Sequence, residues 1–274
     1  MKTRTLPNSN YRAFYINGKT LRLPIDAKRP VTELEYPEFY DVKITNKCFG
    51  ACPYCYQSSA GKLDHFNNVP EKIQKYFGAM TPNERPFQVA IGGGEPTLHP
   101  EFREICKTFK ELGIDPNYTT NGTNLTDEVL DITEEFVNGV AVSCHEHLPW
   151  EDGVAKLNAR DIYTNLHIII SDDNSVRRFA QIYEQFKGKI QHFVLLPMIS
   201  QGRSDEEFAA WDSLKALMDS FDDHSDVAFG ALFHPYLSDL DWDISIYEPE
   251  AFSRYLVMDD AMREYRSSFS TERN

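Results

Sequence analysis

The chain has 274 residues, of which 41% are hydrophobic and 13% are aromatic. These proportions are enough for one catalytic domain with a buried core, and a single α/β barrel of this size needs no second domain. The formal net charge of -14 argues against binding along a nucleic-acid backbone, which requires clustered Lys and Arg. No apolar run approaches the roughly 20 residues of a membrane span, so a cytoplasmic protein is expected.

Two β-rich runs flank Asn17-Gly18 near the N terminus. Because Asn-Gly supplies the positive φ angles of a type I′ turn, residues 1–36 predict a small N-terminal β-hairpin extension. Strand and helix candidates then alternate, which indicates parallel strands joined by right-handed crossovers. The strand candidates are 40–45, 87–92, 117–120, 139–143, 166–171 and 192–197, and the helix candidates are 70–80, 100–112, 126–136, 151–160 and 176–187.

Six such units fit a partial (βα)6 barrel of the TIM type over residues 37–203 better than a full eightfold barrel. After the barrel, apolar spacing predicts a helix over 205–221, and 227–232 predicts an edge strand. The acidic, aromatic segment 233–250 has no assigned structure, and 250–265 predicts one more helix. Residues 204–274 are therefore expected to form a helical C-terminal extension that packs on the barrel.

Three of the five cysteines, Cys48, Cys52 and Cys55, lie on one short loop directly after the first barrel strand. Such crowding is a poor layout for disulfides but lets thiolates converge on one metal centre. Structural zinc usually needs four ligands, and only His65 lies near enough in sequence to complete that set. A [4Fe-4S] cluster can use three thiolates and leave one iron open. A zinc loop and a redox pair of Cys52 and Cys55 stay open as alternatives.

The second barrel strand ends in three glycines followed by Glu95-Pro96. Glycines lack a Cβ and tolerate strained backbone angles, so a ligand can approach the backbone closely at such a strand end. The alternative is a flexible turn between strand and helix.

The Cys-x3-Cys-x2-Cys spacing, with the aromatic Tyr54 directly before the last cysteine, resembles the signature of the radical S-adenosylmethionine (SAM) superfamily. The resemblance covers about residues 40–203 and implies a partial (βα)6 barrel with the cluster loop after the first strand. It implies an enzyme whose three thiolates hold a [4Fe-4S] cluster and whose open iron chelates SAM. Reductive cleavage of SAM then gives a 5′-deoxyadenosyl radical that abstracts a hydrogen atom from the substrate. An electron donor such as flavodoxin or ferredoxin is expected.

Within this resemblance, the Gly-Gly-Glu-Pro motif is expected to receive the ammonium group of SAM. Backbone carbonyls around Gly93 and Gly94, together with the Glu95 carboxylate, would accept its N–H bonds, because such charge-assisted bonds hold a cation well in a half-buried site. The aromatic ring of Tyr54 is expected near the adenine.

Further SAM contacts are expected at the ends of the later strands. Asn121 either bonds SAM or makes an Asx turn into the next helix. Ser143 and Ser171 are expected near the carboxylate or ribose, with an ordinary strand-end serine as the alternative for Ser143. The backbone around Leu196 is expected to face the adenine.

Cys144, His145 and His147 follow the fourth strand on the loop face of the barrel. There they are candidates for substrate contact, for proton transfer by a histidine and for hydrogen donation by the Cys144 thiol. A polar rim that only shapes the pocket mouth is the alternative. Cys106 is expected to be a small buried hydrophobe. With only Cys106 and Cys144 outside the loop, one cluster without auxiliary clusters is predicted.

The substrate is not legible from the residues. The motifs around residues 48–56 resemble those of peptide maturases, which favours modification of a peptide side chain. A nucleoside, a nucleotide or a small metabolite is the alternative substrate. A non-catalytic iron-sulfur or zinc-binding protein is the alternative class, and Glu95 with an open iron distinguishes the enzyme from it. The sequence does not indicate an oligomeric state.

Overall fold

A small antiparallel sheet forms the N-terminal part of the protein. The computed structural model describes residues 1–16, 18–240 and 252–270. Strands β1 (Lys2–Leu6), β2 (Tyr11–Ile16) and β3 (Lys19–Pro24) pair in the order β1-β2-β3. The predicted hairpin is confirmed as β2 and β3, and β1 adds a strand that the sequence analysis did not anticipate. Asn17 of the predicted turn lies outside the described residues.

Six parallel strands alternate with five helices in the main sheet. The strands are β4 (Phe39–Thr45), β5 (Gln88–Gly93), β6 (Asp115–Thr120), β7 (Gly139–Ser143), β8 (Thr164–Ile170) and β9 (His192–Pro197). The helices between them are α1 (Val69–Gly78), α2 (Phe102–Glu111), α3 (Asp127–Phe136), α4 (Trp150–Ala159) and α5 (Asp173–Phe186). The predicted partial (βα)6 barrel is confirmed.

Side chains along each barrel strand alternate between two faces, as the pleat requires. One set, for example Val42, Ile91 and Val142, is at most 1% exposed and packs against the helix layer. The other set is half-buried and faces the lumen of the barrel. Thr126 accepts a hydrogen bond from the Val129 backbone N–H at 3.3 Å and so caps the start of α3.

The helix predicted over 205–221 is wrong in extent, because α6 spans only Trp211–Met218. The backbone N–H of Phe208 donates to Met198 O at 3.0 Å, and that of Ala209 donates to Ser171 O at 2.8 Å. The segment before α6 is thus bonded to the ends of β8 and β9 and not to itself. The predicted edge strand is confirmed as β10 (Val227–Phe229), which pairs in parallel with β9 and is followed by the short helix α7 (His234–Leu237).

The final helix predicted over 250–265 is also wrong. Its described part contains β11 (Ser253–Val257) and β12 (Arg263–Tyr265), which are antiparallel to each other. β11 pairs in parallel with β4, so the main sheet has the order β10-β9-β8-β7-β6-β5-β4-β11-β12. The reason is the free edge of β4, whose backbone N–H and C=O groups need partners. Local spacing favoured a helix, and this long-range pairing overrides it.

Residues 241–251, which include most of the unassigned segment, lie outside the described residues. In the part of the chain that is described, no helix has both the length and the apolar character needed to cross a membrane. The division into 1–36, 37–203 and 204–274 stays a prediction.

The pairing of β11 with β4 predicts a large stability cost for a change in β11. Leu256 is 0% exposed, so Leu256→Ala should lower the free energy of unfolding by about 2–5 kcal/mol in urea denaturation. Leu21→Ala is the matched control, because Leu21 is 59% exposed. A cost for Leu256→Ala no larger than that of the control would contradict the placement of β11 in the core.

Candidate active site

The cysteine loop (residues 46–60) lies over the carboxyl end of β4. Its ends are joined by backbone hydrogen bonds from Cys48 N to Ala60 O at 3.3 Å and from Ala60 N to Asn46 O at 3.2 Å. Cys52 is buried, and Cys48 and Cys55 are half-buried. Burial, followed by the nearby charges of Cys48 and Cys55, raises the pKa of the Cys52 thiol to about 12. The three predicted ligands thus lie on one short loop whose ends are joined, at least partly shielded from solvent.

Three thiols on one loop suit an iron-sulfur cluster. A cubane cluster binds each of three thiolates to a different iron and leaves the fourth iron open. Cys48 Sγ accepts hydrogen bonds from Gly50 N at 3.3 Å and Asn121 Nδ2 at 3.7 Å, and these bonds oppose the burial that raises the pKa of its thiol. His65, the candidate fourth zinc ligand, is instead bonded through Nδ1 to Thr45 Oγ1 at 2.9 Å. The residues present fit the cluster.

The glycine-rich end of β5 is hydrogen-bonded to the cysteine loop and the strand before it. Gly94 N donates to Thr45 O, and Glu95 N donates to Lys47 O, both at 2.8 Å. A Cβ on Gly94 would lie 2.0 Å from Lys47 O. Gly93 has φ +119°, and a Cβ there would lie 2.4 Å from Thr45 O. Only glycine permits this close approach of two backbones.

Glu95 lies beneath the cysteine loop and is 1% exposed. Its carboxylate accepts four hydrogen bonds, from Thr97 N at 3.3 Å, Thr97 Oγ1 at 2.7 Å, Thr120 Oγ1 at 2.8 Å and Asn121 N at 2.8 Å. Burial raises the pKa of Glu95, and these bonds act in the opposite direction. Four bonds use about all the acceptor sites of a carboxylate, which supports a positioning role that joins β5 to β6. The SAM contact of Glu95 stays a prediction.

Asn121 combines an Asx turn with a contact to the cysteine loop. Its Oδ1 accepts hydrogen bonds from Thr123 N at 2.9 Å and Thr123 Oγ1 at 2.7 Å, and its Nδ2 reaches Cys48. The Asx turn, one of the two alternatives, is present. Direct bonding of Asn121 to SAM stays a prediction.

The two histidines after β7 are bonded to the cysteine loop. His147 Nε2 lies 2.9 Å from Gly50 O, and His145 Nδ1 lies 3.1 Å from the Tyr54 hydroxyl. Burial, with the charges of His147 and Arg178, lowers the pKa of His145 to about 4. A neutral His145 that holds the loop supports the rim alternative. Its role and that of His147 in catalysis stay predictions.

Cys144 is 3% exposed and packs among the apolar residues of the main core. Burial raises the pKa of its thiol. The residue before it, Ser143, is half-buried on the lumen face of β7, so strand alternation points Cys144 toward the helix layer. This placement supports packing over hydrogen donation to a substrate, and the donor role stays a prediction.

Two of the predicted adenine contacts share one cavity. Tyr54 and Leu196 line a mainly apolar cavity of about 110 Å³, and Phe269 from the C-terminal segment is a further wall of it. Ser171 lies at the end of β8, where its hydroxyl is 3.4 Å from the Asp172 carboxylate. Ser143 and Ser171 are thus at strand ends on the loop face, as predicted, and their ligand contacts stay predictions.

Arg203 is a site residue that the sequence analysis did not identify, although its Gly-Arg pair follows β9. Its Nε donates to Cys52 O at 2.9 Å, and its Nη1 donates to Ser59 O at 2.8 Å. A Cβ on the preceding Gly202 would lie 2.4 Å from Tyr56 O. The planar guanidinium therefore joins two parts of the cysteine loop that lie more than 140 residues earlier in the chain.

Two titratable side chains on the lumen face were also missed. Burial raises the pKa of Asp41 on β4 to about 7 and lowers the pKa of His167 on β8 to about 4. Asn165, also on β8, has a buried Oδ1 without a hydrogen-bond partner among the described residues. Polar residues at alternate positions in otherwise apolar strands were the signal that could have revealed this polar lumen.

The chain is similar in sequence to known proteins. The family model described as the Radical SAM superfamily matches residues 42–209. A probable GTP 3′,8-cyclase of Thermococcus kodakarensis is 29% identical over 121 residues, which are 44% of this chain and 37% of that protein. The mycofactocin maturase MftC of Mycobacterium tuberculosis is 31% identical over 96 residues, 35% of this chain and 24% of its own length. The matched segments thus span well under half of these relatives.

Solved structures share the fold over a longer part of the chain. The structure of Streptococcus suis SuiB bound to S-adenosylmethionine superposes with a TM-score of 0.66 at 14% identity and covers 88% of this chain and 64% of SuiB. Native anSMEcpe with bound AdoMet and Cp18Cys peptide gives a TM-score of 0.61 at 14% identity, over 86% of this chain and 75% of that one. At these identities the likeness is one of fold.

The contact between Gly94 and the cysteine loop predicts that Gly94→Ala and Gly92→Ala differ in stability and in iron content. Gly94→Ala should lower the free energy of unfolding by about 2 kcal/mol or more, since a backbone oxygen lies where its Cβ would be. It should also prevent the chain from retaining iron. Gly92→Ala is the control, because a Cβ at Gly92 meets nothing within 4 Å. Equal stability and iron content in the two variants would contradict the contact.

The raised pKa of Asp41 predicts a pH-dependent stability. A carboxyl whose pKa is 3.8 when unfolded and about 7 when folded stabilises the fold below pH 4, and this contribution is lost as pH rises to about 7. Asp41→Asn should therefore match the wild type near pH 4 and be more stable by roughly 2 kcal/mol at pH 8, a value reduced because Asp41 is only half-buried. Urea denaturation across this range measures the difference, with Asp205→Asn on an exposed loop as the control. A difference that does not change with pH would contradict the shift.

Proposed function

This chain belongs to the radical SAM superfamily, and we propose that it binds one [4Fe-4S] cluster through Cys48, Cys52 and Cys55 and cleaves SAM reductively. The observation that carries the proposal is the triad of clustered thiols at the barrel mouth, bonded to the strand end that carries Gly94 and Glu95. When bound, the cluster supplies the electron that splits SAM into methionine and the 5′-deoxyadenosyl radical, which takes a hydrogen atom from the substrate.

The residues around the loop position it for this chemistry. Glu95 and Asn121 fix the ends of β5 and β6 beneath the thiols, and Asn121 Nδ2 donates toward Cys48 Sγ. Arg203 holds the far side of the loop through Cys52 O. Tyr54 and Leu196 form one apolar cavity beside the loop, which suits an adenine ring.

For the substrate we favour a peptide, with modification of one of its side chains. The PqqA peptide cyclase of Methylorubrum extorquens is among the relatives, and Streptococcus suis SuiB, which shares the fold, has been solved bound to the precursor peptide SuiA. A nucleotide is the second candidate, because the relative of Thermococcus kodakarensis is a probable GTP 3′,8-cyclase. A small metabolite is the remaining alternative. An electron donor such as flavodoxin or ferredoxin would serve the site in each case.

The test is anaerobic reconstitution followed by reduction with dithionite in the presence of SAM. We expect about four irons and four sulfides per chain and release of 5′-deoxyadenosine and methionine. Cys55→Ala should abolish this release, because a cluster ligand is lost. Cys106→Ala, which removes a thiol that is 0% exposed in α2, is the matched control and should retain it.

Two outcomes would decide against the proposal. Bound zinc without iron-sulfur absorbance would assign the loop to a structural metal. A stable cluster without any cleavage of SAM would assign the chain to the non-catalytic alternative.

A further inference from the structure

A second and larger cavity lies beside the cysteine loop, between β4 and the C-terminal hairpin. It has a volume of about 430 Å³, and its lining includes Lys43 and Asn46 together with Tyr255, Arg263 and Ser270. The last three residues lie beyond the family match, which ends at residue 209. Three of its nine lining residues therefore come from the part that matches the family model, and six come from the C-terminal segment beyond it.

Lys43 presents an ammonium group to this cavity. Its stem passes over the end of β5, because a Cβ on Gly93 would lie 2.9 Å from Lys43 Cγ. Burial lowers the pKa of Lys43. Lys43 lines the cavity together with Asn46, the first residue of the cysteine loop, so the side chain lies beside that loop. Within the described ranges Lys43 makes neither a hydrogen bond nor an ion pair. A buried cation without a partner is costly, and a bound anion would offset that cost.

Arg263 presents a second cationic group from β12. One of its terminal nitrogens is paired with the Asp259 carboxylate. Its Nε is buried and has no hydrogen-bond partner in the described part of the chain. Arg263 lines the cavity and its side chain is 38% exposed, so the part of the guanidinium that Asp259 does not occupy is accessible to a ligand, and its planar geometry suits a carboxylate.

The charge of the cavity selects among anions. Lys43 and Arg263 contribute two positive charges and Asp259 contributes one negative charge, so one positive charge is left over. A polyphosphate carries several negative charges and would remain largely uncompensated there. A carboxylate carries one, and the Asn46 amide and Ser270 hydroxyl offer neutral donors beside it.

We propose that Lys43 and Arg263 bind a carboxylate group of the substrate in this cavity and so hold the substrate beside the cysteine loop. This inference rests on the proposed function and narrows its substrate class to carboxylates. The carboxylate belongs either to the C-terminal end of a peptide or to a small free acid. The aromatic walls, Phe66 and Tyr255, are suited to the apolar part attached to it.

The test is a titration of the reconstituted full-length protein with carbon-13-labelled acetate, followed by NMR. The wild type should bind acetate equally with and without saturating SAM. Lys43→Met and Arg263→Gln should each weaken acetate binding by about tenfold, the effect of losing a hydrogen bond to a charged group. Lys189→Met, which removes the same charge from an exposed site, is the matched control and should bind acetate like the wild type. Circular dichroism confirms that both test variants are folded.

Two blocked amino acids distinguish the sources of the carboxylate. N-acetylalanine should bind and N-acetylalaninamide, which lacks the charge, should not. Tighter binding of N-acetylalanine than of acetate identifies a peptide end, and equal binding identifies a free acid, both within the proposal. The proposal would be overturned if the wild type did not bind acetate, if SAM displaced acetate, or if inorganic phosphate bound more tightly than acetate. Unchanged acetate binding in both variants would overturn it as well. Release of 5′-deoxyadenosine from the same preparation tests the proposed function separately. Failure of the carboxylate proposal is thereby distinguished from failure of the proposed function.

Discussion

The rest of the site depends on one close contact between two backbone segments, Gly94-Glu95 and residues 45–47. It consists of two 2.8 Å hydrogen bonds that join the end of β5 to the start of the cysteine loop. The approach is too close for any Cβ, so glycine at this point is a geometric requirement. Once this contact is made, the thiols are held over the open end of the barrel and do not drift with a free loop.

Around this contact the site is stabilised by polar groups that are already satisfied within the protein. Glu95 accepts four hydrogen bonds, and Asn121, His147 and Arg203 each bond to the loop from a different strand end. Buried polar networks of this kind are rigid when complete, because every missing bond would cost the desolvation of a polar group. The barrel thus holds the cysteine loop from several sides. Lys43 has no such hydrogen bond among the described residues, and in our proposal it binds the ligand in the larger cavity.

The C-terminal segment supplies an edge strand to the main sheet and walls to both cavities at the barrel mouth. β11 completes the edge of β4, β12 carries Arg263 to the larger cavity, and Phe269 reaches the apolar cavity beside Tyr54. The part of the chain that matches the family model carries the cysteine loop, and the part beyond residue 209 supplies walls around the two cavities.

The sequence by itself determined the barrel, because strand and helix periodicities are local, and it predicted the cysteine ligands, because Cys48, Cys52 and Cys55 are neighbours on one loop. It also placed Glu95 and Asn121 at the correct strand ends. Only the tertiary structure decided that residues after 252 are strands, since the free edge of β4 outweighs the local helical spacing. It likewise decided that the Cys144 side chain points toward the helix layer and that Arg203 donates hydrogen bonds to the cysteine loop. It also decided that Lys43 and Arg263 line the same cavity. Those contacts join residues up to some 220 positions apart, and no local pattern encodes which of them will meet.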